Sequence, residues 1–119
     1  MSERNELILD VTISGDGETV RVAVCGDIDA ANAKNICSVV TAASEQEKPR
    51  RVAVDLEGVD FMDSSGISAL IECWNHLREV GVHFEVVGAR GLPLRVLELT
   101  GVLSVFRPSA DDESMQSPS

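Results

Sequence analysis

The sequence predicts an α/β domain: a mixed sheet of four to five strands with helices mainly on one face. Three observations carry that prediction. Segments with a two-residue apolar period alternate along the chain with segments of 3.6-residue period, so strands and helices are interleaved rather than grouped. Most strand-like segments keep a polar set opposite the apolar one, and such strands need cover on one face only. At 119 residues, with 44% hydrophobic and 3% aromatic side chains, the chain can fill one aliphatic core and no second. One domain over residues 7–107 is therefore expected, with a flexible start at 1–6 and a disordered acidic, Ser- and Pro-containing tail at 108–119.

The elements follow in order. Leu7, Leu9, Val11 and Ile13 alternate with a more polar set, Ser14 to Glu18 is turn chemistry, and Val20, Val22 and Val24 resume the alternation. An antiparallel hairpin with one apolar face is the reading. Asp29 is a fitting N-cap for a first helix, whose stripe of Ala33, Ile36, Cys37, Val40 and Ala43 reaches about Ser44 before Pro49 forbids continuation. Arg51 to Leu56 is short and β-branched, hence a strand. Because a helix separates it from the strand before, the crossover should be right-handed and the pairing parallel.

Ile67, Leu70, Ile71, Trp74 and Leu77 form a second helical stripe that Gly81 stops, with Trp74 expected in the core. Val82, Phe84 and Val86 read as the core face of the next strand, leaving His83 on its polar side. Pro93 suits the first turn of a third helix, and Gly101 suits its left-handed cap. Val102 to Phe106 fits either a short edge strand or the start of a fourth helix.

Composition excludes several functions. Ten Lys and Arg against twenty Asp and Glu give a formal net charge of −10, which repels phosphate backbones and anionic membrane surfaces, so direct nucleic-acid binding is not expected. No apolar run reaches spanning length and the amino terminus lacks signal-peptide character, so no membrane insertion and a cytoplasmic location are expected. Cys25, Cys37 and Cys73 are far apart in sequence and read as small buried hydrophobes, and neither they nor His76 and His83 have metal-ligand spacing. The two glycines of Gly88-Ala89-Arg90-Gly91 are too few for a dinucleotide fingerprint, so no cofactor is expected.

One stretch stands out. In Val59-Asp60-Phe61-Met62-Asp63-Ser64-Ser65-Gly66-Ile67 a polar turn joins a strand to a helix, so the hydroxyls of Ser64 and Ser65 fall where the helix begins, and a plain N-cap serine is the alternative to any chemical role there. Backbone N–H groups at a helix start lack internal partners and carry partial positive charge, so a phosphoryl group there is compatible with the fold. The turn is also acidic: no Lys or Arg occurs from Val52 to Leu77, whereas Asp55, Glu57, Asp60, Asp63 and Glu72 do. Ser is a poor nucleophile without a base, and no His or Lys adjoins Ser64 in sequence. Any phosphoryl transfer must then come from another protein, and this chain is expected to be a substrate rather than an enzyme.

Three segments together resemble the STAS domain, and specifically the bacterial anti-sigma factor antagonists. They are Gly26-Asp27-Ile28-Asp29-Ala30-Ala31, the Asp63-Ser64-Ser65-Gly66 turn with its flanks, and Leu94-Arg95-Val96-Leu97-Glu98-Leu99-Thr100-Gly101-Val102. The resemblance runs from about Leu7 to Phe106 and implies a STAS fold. It implies phosphorylation at Ser64, with Ser65 as the second choice, by an anti-sigma factor that is an ATP-dependent serine kinase. It further implies that the unphosphorylated chain binds that kinase and frees its sigma factor, that the phosphorylated chain does not bind, and that a phosphatase resets it. The implied partner-binding surface includes Asp27, Asp29, Asp63, Ser64, Ser65 and Gly66. A STAS subunit of a transporter or stress-signalling complex is the alternative. A serine hydrolase is disfavoured, because Gly-x-Ser-x-Gly is absent and neither histidine is placed by sequence to serve Ser64.

Overall fold

The computed structural model describes residues 7–106; both expected flexible ends lie outside the described residues. Four strands, β1 (Ile8–Ile13), β2 (Thr19–Cys25), β3 (Arg51–Gly58) and β4 (His83–Val87), are joined by helices α1 (Ala33–Glu47) and α2 (Ser64–Glu79). Helix α3 (Gly91–Thr100) and a 3-10 turn at Val102–Ser104 follow. The strands lie in sequence order across one sheet, β1 antiparallel to β2, then β2, β3 and β4 parallel. The mixed α/β architecture is the one the periodicities predict.

Register explains the core. Val20 pairs with Val52 and Val52 with Phe84; one period on, Val22 pairs with Val54 and Val54 with Val86. These side chains share a face, and all are buried with Ile36, Val40, Leu70, Cys73 and Leu77 from the two helices that cover it. At the end of the chain Phe106 is fully buried and meets Phe84 edge to face, ring centroids 5.4 Å apart. The 102–106 segment is neither of the two expected forms. One 3-10 turn brings the Phe106 carbonyl to accept from Val86 N–H at 3.2 Å.

Further expectations need correction. The apolar face of β1 is only half covered: Leu9 is half-buried, but Val11 and Ile13 are 41% and 42% exposed, because α1 reaches poorly over the edge of the sheet. The helix-free face is less solvated than a polar pattern suggests. Ala53, Asp55 and Glu85 are buried there, since Arg21 lies across to Asp55 (2.5 Å) and Arg51 leans towards Glu85 (3.7 Å). The cysteines also differ from one another. Cys25 is exposed and Cys37 half-buried, and only Cys73 is a core residue. Burial pushes the Cys73 thiol up, with the neighbouring Cys37 thiol adding to the shift, so two cysteines distant in sequence face each other where α1 meets α2.

Trp74, expected in the core, is half-buried with the Arg78 guanidinium 4.4 Å from its ring centre. Gly101 ends α3 in the left-handed conformation (φ 77°), as its position after the last apolar residues predicts.

Candidate functional site: the Ser64 turn

Parallel pairing dictates where the site lies. Strands β2, β3 and β4 all run the same way, so the loops that follow them emerge together at the carboxyl ends of the strands. Those loops are 26–32, 59–63 and 88–90, and the first two hold the acidic residues and the serine turn.

They are stitched together. Ile28 and Met62 form an isolated parallel bridge, in which Ile28 N–H donates to the Phe61 carbonyl (2.9 Å) and Asp63 N–H donates to the Ile28 carbonyl (3.2 Å). Both Ile28 and Met62 are buried, so the join is apolar beneath and polar above. Gly66 completes it. A Cβ at Gly66 would stand 2.7 Å from Met62 Sδ and 3.0 Å from Ile28 Cγ2, so only glycine lets the first turn of α2 settle against the bridge.

Asp63, not a serine, is the N-cap of α2: its carboxylate accepts from Ser65 N–H at 2.8 Å. Ser64 is the first helical residue and is exposed, whereas Ser65 is half-buried. Among the described residues the Ser64 hydroxyl makes no hydrogen bond, so it has no capping task and stands open to solvent beside the unsatisfied amides of the helix start. Replacing Asp63 by Ala should cost about 1 kcal/mol of stability in denaturant unfolding, and Asp63→Asn, which can still cap, should restore most of it. Comparing the two separates the cap from the charge.

Asp29 is placed differently from the expectation. Helix α1 starts four residues later, with Asn32 at its N-cap position, and Asp29 instead closes the preceding turn by accepting from Ala31 N–H at 3.0 Å. Asn32 braces that turn: its side chain accepts from Asp29 N–H (3.0 Å) and donates to the Asp27 carbonyl (2.9 Å). The structure therefore brings Asp27, Asp29, Asp63, Ser64, Ser65 and Gly66 into one neighbourhood through the Ile28–Met62 bridge.

Two neighbours were not legible in sequence. Arg90, from the loop after β4, donates through Nε to the Glu57 carbonyl (2.9 Å) and pairs with Asp60 at 3.2 Å, supplying a cation to a stretch that has none of its own. The parallel pairing of β3 with β4 was the available signal, since it puts both following loops at the same end of the strands. Phe61 is 41% exposed next to the buried Met62, an uncovered aromatic ring at the rim of the serine turn.

Neither described histidine adjoins the serine turn. His83 sits on the helix-free face beside Glu85 (3.9 Å), and His76 lines a groove of about 480 Å³ with Lys48, Arg50 and Val82, where α1 and α2 end rather than begin. Among the described residues no group of three or more His, Cys, Asp or Glu could hold a metal, and no helix is long and apolar enough to cross a membrane.

Solved structures resemble this fold closely. An anti-sigma factor antagonist from Mycobacterium paratuberculosis is 24% identical, with 95% of each chain covered and a TM-score of 0.73. The anti-sigma factor antagonist SpoIIAA in its unphosphorylated form is 17% identical, covering 94% of this chain and 99% of its own, with a TM-score of 0.70. The phosphorylated form of SpoIIAA, a Bacillus cell fate determinant, is 18% identical over 91% of this chain and 98% of its own, with a TM-score of 0.64. Residues 10–114 match the STAS domain, and the chain belongs to that family.

Proposed function

We propose that this chain is an anti-sigma factor antagonist governed by phosphorylation of Ser64. In that reading the unmodified chain docks on an anti-sigma factor serine kinase and releases the sigma factor the kinase holds. The kinase transfers a phosphoryl group from ATP to Ser64, the phosphorylated chain dissociates, and a phosphatase resets it. The chain is a substrate and a binding partner, not a catalyst.

The observation that carries this reading is the Ser64 hydroxyl. It is exposed at the first residue of α2, relieved of capping by Asp63, and free of intramolecular hydrogen bonds among the described residues. The similarity to antagonists, one of them solved in unphosphorylated and phosphorylated forms, supports the same reading.

Asp27, Asp29 and Asp63 lie on the two bridged loops beside the serine turn and make it acidic, and the exposed Phe61 offers an apolar anchor of the kind that dominates docking surfaces. A partner with a basic rim and a pocket for one aromatic ring fits this surface. The test is incubation of the full chain with a candidate serine kinase and ATP, followed by mass-spectrometric site mapping. One phosphate on Ser64, absent from Ser64→Ala, is the expected result; modification elsewhere with Ser64 bare would overturn the assignment.

A further inference from the structure

The two edges of the sheet are finished differently. At the β4 edge the Phe106 carbonyl accepts from Val86 N–H, so the chain itself covers part of that edge. At the β1 edge no described residue pairs with the side of the strand turned away from β2. Monomeric proteins protect such an edge with Lys, Pro, a bulge or a covering segment, because its unpaired N–H and C=O groups template another strand. Strand β1, Ile8-Leu9-Asp10-Val11-Thr12-Ile13, has no Lys, Arg or Pro and a single carboxylate. Its register with β2 is regular from Ile8 to Ile13, without a bulge.

The same edge exposes apolar side chains on both faces, alongside Asp10 and Thr12 on the helix-free one. Ile8 is 67% exposed on the helix-free side, while Val11 and Ile13 open into a groove of about 270 Å³ shared with Val39 and Ala42 of α1. For a chain of net charge −10 this is an unusually neutral strip: the groove carries one charged side chain, Glu47.

We propose that this edge docks on the β1 edge of a second copy, antiparallel about a two-fold axis through Val11, so that the two sheets become continuous. Side-chain alternation selects the register. Antiparallel partners must lie on the same face, so a two-fold axis has to pass through a residue rather than between residues. Centred on Asp10, the pairing would set two carboxylates against each other. Centred on Val11, it sets Val11 against Val11, Leu9 against Ile13, and Asp10 against Thr12, whose hydroxyl can donate to the carboxylate. Other centres shorten the overlap. This pairing closes both apolar grooves with like side chains and keeps Asp10 off that face, against Thr12 on the helix-free side. It depends on the sheet alone and not on the role of Ser64, which stands beyond β3, two strands in from this edge.

The full chain carrying Cys25→Ser, which removes the exposed thiol opposite Ile8, is the test protein. Sedimentation across a concentration series should show a monomer–dimer equilibrium, and Val11→Lys should raise its dissociation constant at least tenfold with an unchanged circular dichroism spectrum. Val11→Cys should cross-link to its own copy under copper-phenanthroline oxidation, because facing antiparallel residues are about 4.5–5.5 Å apart at Cα, within disulfide reach. Asp10→Cys should not cross-link to itself but should do so when mixed with Thr12→Cys. A monomer at every concentration without a Val11→Cys cross-link, or a dimer indifferent to Val11→Lys, would overturn the proposal.

Discussion

Ser64→Asp is expected to lower affinity for the cognate kinase by at least a hundredfold while leaving thermal stability unchanged or slightly raised. The two halves of that result have different origins. Within the free protein, a carboxylate at the first residue of α2 faces the positive end of the helix, a placement worth about 0.3–1 kcal/mol in favour of the fold. At the interface the same charge enters a surface already carrying Asp27, Asp29 and Asp63, and must be desolvated beside them. About 2.7 kcal/mol of such penalty accounts for a hundredfold loss, each 1.4 kcal/mol being tenfold. A phosphate, at about −1.5 to −2 charge, should do at least as much.

Arg90 does not cancel the added charge, since it is already committed to Asp60 and the Glu57 carbonyl. Ser64→Ala, which adds no charge, should bind like the unmodified chain and resist phosphorylation. Titration calorimetry of the three proteins decides the matter: equal affinity for Ser64→Asp and wild type would remove the electrostatic account, whatever the phosphorylation site proves to be.

Gly66→Val should destabilise the domain by about 2–3 kcal/mol, against the ordinary rule that replacing a helical glycine stabilises. In an exposed helix interior the change from Gly to a residue with a Cβ reduces the backbone entropy lost on folding. Here the new Cβ would fall within 3.0 Å of Met62 and Ile28, both buried and unable to retreat without disturbing the core. The first turn of α2 must lift instead, carrying Ser64 with it. Denaturant unfolding measures the stability loss, and phosphorylation rate under conditions where the variant remains folded measures the displacement. A fully stable Gly66→Val would mean that the bridge yields more easily than its burial implies.

These residues also show what sequence could and could not convey. Strands β2 and β3 and helix α2 were legible because their apolar periods survive into the structure almost unaltered: Val20, Val22 and Val24 on one face of a strand, Ile67, Leu70 and Leu77 on one side of a helix. Ser64 at the start of α2 was legible for a local reason, since Asp-Ser-Ser-Gly between a strand and an apolar stripe has few other uses.

Asp29 misled because capping is judged from neighbours in sequence. The residues around it are instead held by Met62, more than thirty positions away, and the helix waits until Asn32. Arg90 was invisible for the same kind of reason. The half-covered β1 differs again: its alternation correctly marks a face, but no local pattern tells how far a helix will extend over an edge strand.

The Ile28–Met62 bridge has a further bearing on how the chain meets a partner. Loops that must be ordered on docking cost association dearly, commonly about 0.5–1.5 kcal/mol for each side chain immobilised. Here the two loops around Ser64 are already tied by a pair of backbone hydrogen bonds over a buried seam, so that entropy is lost during folding and not at the encounter. A prepaid surface of this kind can hold a partner with few contacts, and it has no slack with which to accommodate a change at its centre.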